Sequence, residues 1–579
     1  MKELLKYPNP QFIRENYISL NGEWEFEIDN APTIFYWQKK YQLEEHLSSK
    51  IIVPFPVESE LSKVNNKDFN LRLWYKKKIE FKKEWENKNI LLCFGAIDYE
   101  AYIYVNGIEV FNHVGGYTPF KIDITKYLNK SINDVTIKVL DDARKWNQPS
   151  GKQSNLYESY SALYTRVSGI WQDVYLEIYD TYKIEDFTFK TKNNGEINID
   201  ITFNKSLFKE NLEVLIYDEN EIIYKNNLVL EGFSLNFNVF FKNIKIWEIN
   251  NSKLYKIVFK LKDNKNIKVY DEVISYFAFR DIAFNKTIFM LNNKPLFQRL
   301  ILDQGYYKKG IYTYQNFEEL ELDIINVKKL GFNGVRMHQK VFDPRYLFLL
   351  DYHGLIAWDE YPSFGLNISN FEALSYMLPE WIDVIKRDKN HPSIVVYAPF
   401  NETETNDYET KTYQDNKILE TVYKITKVID PTRFVIDTSG SLHSSLRDIY
   451  DVHDYEQNIE IFKTHYLKGY FELYPTRQNI NEGEPYMVTE YGGILFDEEN
   501  NNKLAWGYGE APKDKEEFLN RFKELTLTLL KNPNCSGFCY TQLYDVEQEK
   551  NGLLTYERKF KFDPDYIKKI VSTKAKIEE

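Results

Sequence analysis

Short runs of alternating apolar and polar residues, parted by turn signals every ten residues or so, occupy residues 1–180. The clearest is Tyr102, Ile103, Tyr104 and Val105, then Asn106-Gly107, then Ile108, Glu109, Val110 and Phe111. Asn-Gly supplies the two positive-φ positions of a type I′ hairpin. No helical period of any length appears there, and the pattern predicts a β-sandwich. In residues 181–282, Ile197, Ile199, Ile201 and Phe203 share one face of a strand, and residues 254–261 form another. About seven short strands in about a hundred residues match an immunoglobulin-like sandwich. From residue 283 the period changes. Phe317, Leu320, Ile324 and Val327 fall at helical spacing, with Gly331 as the stop. Asp343 can cap the next helix, Pro344 suits its first turn and Gly354 its end. Phe518, Phe522, Leu525 and Leu529 make a third stripe. Strand candidates lie near Leu300, Val335, Ile356, Val396, Val435, Tyr450, Met487 and Phe538. Eight strand–helix units in 283–579 predict a (β/α)8 TIM barrel. A doubly wound sheet is the alternative, but no Gly-rich phosphate loop follows any strand.

Composition narrows the classes. A chain of 579 residues holds three or four domains at about 100–200 residues each. A net charge of -12 with no basic stretch argues against nucleic acid as a partner. Three cysteines, Cys93, Cys535 and Cys539, cannot make a disulfide framework. The start lacks the apolar run of a signal peptide, and nothing approaches about 18 uninterrupted apolar residues. The expectation is a soluble, cytoplasmic protein away from membranes. Aromatics at 16% fit either core packing or platforms for sugar rings, and composition does not separate the two.

A barrel places its site at the C-terminal ends of its strands. The fourth strand runs into Asn401-Glu402 and the seventh into Thr489-Glu490-Tyr491. Asp303, Arg336, His338, Glu360, His453, Tyr455 and Gln542 also lie at strand ends. Two carboxylates across one mouth suit glycoside hydrolysis, one protonated to serve the leaving oxygen and one ionised to attack the anomeric carbon. For any single Glu a surface or salt-bridged role is the commoner one, and for the pair at opposed strand ends the two readings are even.

Five motifs in order then resemble glycoside hydrolase family 2, the group of β-galactosidases, β-glucuronidases and β-mannosidases. They are Leu20-Asn21-Gly22-Glu23-Trp24; the run from Tyr164 through Arg166, Ser168 and Gly169 to Gln172; Gly331-Phe332-Asn333-Gly334-Val335-Arg336; the run from Arg387 through His391-Pro392 that precedes Asn401-Glu402; and Met487-Val488-Thr489-Glu490-Tyr491-Gly492. The resemblance implies a jelly-roll sugar-binding-like domain at 1–180, an immunoglobulin-like domain at 181–282 and a catalytic barrel at 283–579. It implies Glu402 as general acid/base, Glu490 as nucleophile with retention, Asn401 on the sugar 2-hydroxyl, and Tyr455 or His453 orienting Glu490. The polar segment 146–153, from Trp146 to Gln153, is a candidate for a loop lent to the site, or an ordinary turn.

The departures bear on the sugar. β-Glucuronidases of the family carry an Asn-x-Lys pair that binds the substrate carboxylate, where this chain has Glu549-Lys550-Asn551-Gly552. A Glu there repels a uronate. The metal ligands of the long β-galactosidases are replaced by Tyr361-Pro362-Ser363-Phe364, so no metal or cofactor is expected. Leu163 stands where those enzymes place an Asp. His338 and Gln339 follow Arg336 where many relatives have Ser-His, and Glu360 either binds sugar or anchors Arg336. Trp506 and Tyr540 either stack on the sugar or pack. The expectation is an exo-acting retaining glycosidase acting on a terminal β-linked sugar, β-galactosidase-like first and β-glucuronidase or another β-glycosidase next, in a chain that can form a homo-oligomer. The rival from another class is a non-catalytic carbohydrate-binding protein on the same fold.

Overall fold

The computed structural model describes residues 1–29, 46–145, 147–403, 414–440, 442–467, 469–473, 479–498 and 504–579. Two antiparallel sheets form the first domain. One has four strands in the order Tyr17–Ser19, Val174–Tyr179, Asn89–Phe94 and Phe120–Asp123. The other has six, running from Ser49–Val53 through Gly22–Ile28, Arg72–Glu80, Ile132–Leu140 and Glu100–Val105 to Ile108–Val114. Their inner faces meet in a core of Trp24, Tyr75, Leu92, Ile103 and Ile137. Asn106 and Gly107 turn the last hairpin with φ of 50° and 78°, the positive pair that the dipeptide predicts.

The second domain differs from the expectation of seven short strands. Five strands form one antiparallel sheet, and two of them are long, Glu196–Asp218 and Glu221–Phe240. Register shifts between Thr202 and Leu207 and between Phe208 and Asn211 bend this pair over the core. Bulges bend a strand and sharpen its twist, so two bent ribbons do the work of four short strands.

The barrel strands are β1 (Gln298–Asp303), β2 (Gly334–Met337), β3 (Ile356–Glu360), β4 (Ile394–Ala398), β5 (Phe434–Val435), β6 (Tyr450–Asp454), β7 (Tyr486–Gly492) and β8 (Cys535–Thr541). They form one eight-stranded sheet in which β1 pairs in parallel with both β2 and β8. Each of the eight strand candidates falls in one of them. Helix α1 (Phe317–Lys329) begins with Asn316 accepting from the Glu319 amide, and α2 (Pro344–His353) with Asp343 accepting from Arg345. Gly354, at φ 70°, closes α2 in the left-handed region. Near the end of the chain, helix α3 (Lys515–Lys531) buries an inner face of Phe518, Phe522, Leu525 and Leu529. No described helix is long and apolar enough to cross a membrane.

The sandwich and barrel are clamped together at the barrel's upper rim. Ser150 donates its amide to the Phe364 carbonyl at 2.8 Å, and Asn147 to Gly365 at 2.9 Å. The Asn147 side chain accepts from the Asn367 amide at 2.9 Å. The segment singled out in sequence therefore lies against the loop after β3, apart from Trp146, which is outside the described residues.

Candidate active site

Arg336, wholly buried on β2, organises the mouth. Its Nε donates to Glu360 Oε2 at 2.7 Å, Nη1 to Glu490 Oε1 at 2.7 Å and to the Thr489 carbonyl at 3.1 Å, and Nη2 to Asn401 Oδ1 at 2.6 Å. One planar cation on β2 thus fixes groups from β3, β7 and the end of β4, which an ammonium has no geometry to do. Glu360 also accepts from the Gln339 amide at 3.0 Å and lies 2.9 Å from His338 Nδ1. Burial raises the Glu360 carboxyl, but Arg336 and His338 outweigh it and hold the group down to about 2.

Glu490 ends β7 with one oxygen on Arg336 and the other receiving the Tyr455 hydroxyl. Glu402 follows β4 at a φ of 44°, a sparsely populated conformation for a residue with a side chain. Its amide donates to the Ser439 carbonyl at 3.0 Å. Its side chain is 26% exposed against 5% for Glu490, so Glu402 is the carboxylate open to incoming groups. His453 stands between the two, with Nδ1 2.8 Å from Glu402 Oε1 and 3.5 Å from Glu490 Oε2. A carboxylate oxygen of each Glu and a ring nitrogen of His453 all lie within 4.8 Å of one another. Burial lowers the imidazole, but the charges of Glu490 and Glu402 overcome it and raise His453 above its ordinary value. Burial likewise raises Glu402, and the hydrogen bond and charge of His453 bring it down to about 2. The two shifts have one cause, since each group is the other's counter-charge.

Family models match this architecture. The description "Glycosyl hydrolases family 2, sugar binding domain" covers residues 17–179, and "Glycosyl hydrolases family 2, TIM barrel domain" covers 282–499. The chain belongs to glycosyl hydrolase family 2. A β-galactosidase of Thermoanaerobacterium thermosulfurigenes is 27% identical over 83% of this chain, a match that spans 65% of that relative's length. A β-glucuronidase of Streptococcus agalactiae is 24% identical over 84% of both chains. A solved β-glucuronidase of Bifidobacterium dentium, complexed with coumarin-3-O-glucuronide, shares the fold at a TM-score of 0.80 and 17% identity, covering 97% of each chain.

The residues expected at the site from sequence fall into three groups. Glu402, Glu490, His453, Tyr455, Asn401 and His338 converge on the mouth. Asn401 gives its oxygen to Arg336 and leaves its buried Nδ2 without a partner among the described residues, a donor ready for a sugar hydroxyl. Trp506 is half-buried, 5.0 Å centroid to centroid from Tyr508, which itself stacks on Tyr455 at 3.4 Å. Four residues expected at the sugar are committed to protein instead. Arg336 and Glu360 are buried in their mutual network. Asp303 accepts from the Gly305 amide at 2.8 Å and from Tyr544 and Tyr346, each at 2.5 Å, so protein donors engage both of its oxygens. Tyr540 points away from it, its ring 4.9 Å from Phe522 on α3 and 5.4 Å from Tyr491. Strand alternation explains this, because neighbouring side chains on β8 face opposite sides of the barrel wall.

Gln542 works at one remove. It accepts from Gln304 at 2.9 Å and donates to Asn551 Oδ1 at 2.7 Å, and Asn551 donates to Glu549 Oε1 at 2.8 Å. Tyr164, from the first domain, donates to the other Glu549 oxygen. Burial raises the Glu549 carboxyl above its ordinary range, with Lys152 pulling the other way. Two residues escaped the sequence reading. Tyr508 carries no signal beyond lying two places after Trp506. Lys152 lay inside the candidate loop without being singled out.

Proposed function

We propose that this family 2 chain is an exo-acting retaining β-glycosidase with Glu490 as nucleophile and Glu402 as acid/base, acting on a neutral terminal sugar, a β-galactoside first among them. The observation that carries the reading is the carboxylate pair, with one oxygen of each lying within 4.8 Å of the other. Retaining enzymes hold their carboxyl groups about 5–5.5 Å apart, whereas inverting ones leave about 6.5–9.5 Å for a water. Arg336 and Tyr455 hold Glu490 in place, one on each carboxylate oxygen. Glu490 attacks the anomeric carbon as the proton shared by His453 and Glu402 moves to the departing oxygen. A glycosyl ester forms on Glu490, the aglycone leaves, and Glu402, now ionised, draws a proton from the water that releases the sugar. The clamped loop 147–153 closes one side of the mouth, which supports an exo mode.

The neutral sugar is supported by Glu549, a buried acceptor where a uronate would need a donor. The relative named β-galactosidase agrees with it. A second reading, β-glucuronide cleavage, has its own support in the several relatives that bear that name and in the cation Lys152 near the mouth. The test is hydrolysis of aryl β-glycosides (galactoside, glucuronide, mannoside, fucoside, glucoside, arabinoside), with and without EDTA. Turnover of a neutral glycoside that EDTA leaves unchanged supports the first reading. Preference for the glucuronide replaces it with the second, and silence from the folded protein across the panel removes both.

A further inference from the structure

Lys152 belongs to the first sandwich, yet it is 8% exposed at the rim of the barrel mouth. Its backbone is fixed from both sides. Its carbonyl accepts from the Tyr164 amide at 2.8 Å, and Tyr164 is the residue whose hydroxyl holds Glu549. The preceding Gly151, at φ 55°, sits so close to the loop after β2 that a Cβ there would lie 2.2 Å from the Gln339 carbonyl. The backbone of Lys152 is thereby held beside the loop after β2 and, through Tyr164, beside Glu549 after β8. Its ammonium lies 5.0 Å from the Phe364 ring centroid and makes no hydrogen bond or ion pair among the described residues. Buried lysines are almost always paired. Here the charge is felt instead at Glu549, Glu402 and His338, the groups that surround the mouth.

We propose that Lys152 and Glu549 are the two jaws of a subsite that reads a hydroxyl at the end of the sugar remote from Glu490. An ammonium offers three donors and no acceptor, and a carboxylate offers acceptors only. A hydroxyl is both, so it accepts from Lys152 while donating to Glu549. Each Glu549 oxygen receives one protein donor, which leaves acceptor capacity on both. A uronate carboxylate meets one jaw well and the other badly. A deoxy sugar leaves both jaws unpaired, the situation in which buried polar sites discriminate most strongly. The proposal rests on the neutral-sugar reading above and divides the specificity between a residue of the sandwich and one of the barrel.

The experiment measures binding rather than turnover, so that its failure differs from failure of the glycosidase reading. Aryl β-glycosides of the same panel, with the 4-deoxy and 6-deoxy forms of the tightest one, are titrated by calorimetry into the full chain carrying Glu490→Gln. The same titrations follow with Lys152→Met, Lys152→Arg or Glu549→Gln added. The expected result is at least tenfold weaker binding of the tightest neutral glycoside with Lys152→Met, partly recovered by Lys152→Arg. One deoxy form should bind the parent weakly and lose nothing further with Lys152→Met. Equal loss for every glycoside, deoxy forms included, overturns the proposal in favour of a merely structural lysine. Unchanged binding with Lys152→Met overturns it outright, as does failure of every glycoside to bind the parent. Tightest binding of the uronide, abolished by Lys152→Met, replaces the hydroxyl with a carboxylate. Thermal melts of each variant separate lost binding from lost fold, and the arginine variant keeps the test open if methionine does not fold.

Discussion

At the scale of single residues the decisive feature is where one proton sits. His453 is raised and Glu402 is held to about 2, because each is the other's counter-charge. The raised imidazole contributes its stabilisation fully below an unfolded value of about 6.5 and loses it as pH rises through the folded one. The depressed carboxyl contributes above about 4.3 and loses it as pH falls through about 2. The pair is therefore intact from mildly acidic to near-neutral pH. In the free enzyme, the alkaline limb of kcat/KM should report loss of the proton that Glu402 and His453 hold in common, as one macroscopic step. With His453→Gln only Glu402 can hold that proton, and the limb should move to lower pH. A pH profile with an unmoved limb removes His453 from the proton's path. Glu402→Ala should lower kcat by about 10²–10⁴-fold, least for aryl leaving groups that need no proton. Glu490→Ala should abolish turnover until azide is added, and azide should then give the α-glycosyl azide, since it attacks opposite the leaving group. A β-configured azide product, read by NMR, would exclude Glu490 as nucleophile.

At the scale of elements, a loop of one domain completes the mouth of another. Gly151 is one of the tight points of that contact, with positive φ and no room for a Cβ against Gln339 and Pro362. Gly151→Ala must lift the segment 147–153 off the loop after β3. Overpacking of this kind costs about 1–3 kcal/mol, small for a chain of several domains. The expected outcome is a KM raised tenfold or more with kcat nearly unchanged, because Arg336, Glu402 and Glu490 all belong to the barrel. An equal fall in kcat would show that the loop reaches the reacting atoms. Such a loop explains what sequence could and could not convey. The barrel was legible because eight apolar strands and their caps write a local period, and the carboxylate pair because each Glu follows such a strand. Of the partners of Arg336 only Glu360 was legible, as its anchor, since residues on four strands meet only when the barrel closes. Tyr540 misled because its inward or outward face depends on one residue of register. The long strands of the second domain misled because bulges break alternation without ending the strand.

At the scale of the whole molecule, the two sandwiches are joined by a buried cation. Arg14 donates to Glu177 at 2.8 Å in the first domain and to Asp271 at 2.8 and 2.9 Å in the second, and to the Ile184 carbonyl at 2.6 Å. Beside it Ile13 bridges Ile274, carrying the chain's first residues into the second sheet. Burial raises Glu177, but Lys121 and Arg14 outweigh it and hold the carboxyl down to about 2. A depressed carboxylate contributes stability above its unfolded value of about 4.3 and loses it as pH falls through the folded one. Acid should therefore weaken this junction progressively from about pH 4.3, with the loss complete as pH falls through about 2. Arg14→Met keeps the length of the side chain and removes the charge, leaving Glu177 with Lys121 alone and Asp271 without its guanidinium. Breaking one side of a buried ion network costs about 3–5 kcal/mol. Scanning calorimetry at neutral pH should then show the first two domains melting apart. The acid transition should begin at higher pH, because Glu177 loses one of the two cations that hold it ionised. The barrel's carboxylate pair shares no partner with this junction, so turnover at low temperature should be retained. A single unshifted melt would mean that the sandwiches are held instead by their separate contacts with the barrel, such as Arg345, which ties Asp173 at 2.6 Å to α2. The result therefore decides whether the catalytic barrel is the hub of the assembly or one of three mutually braced parts.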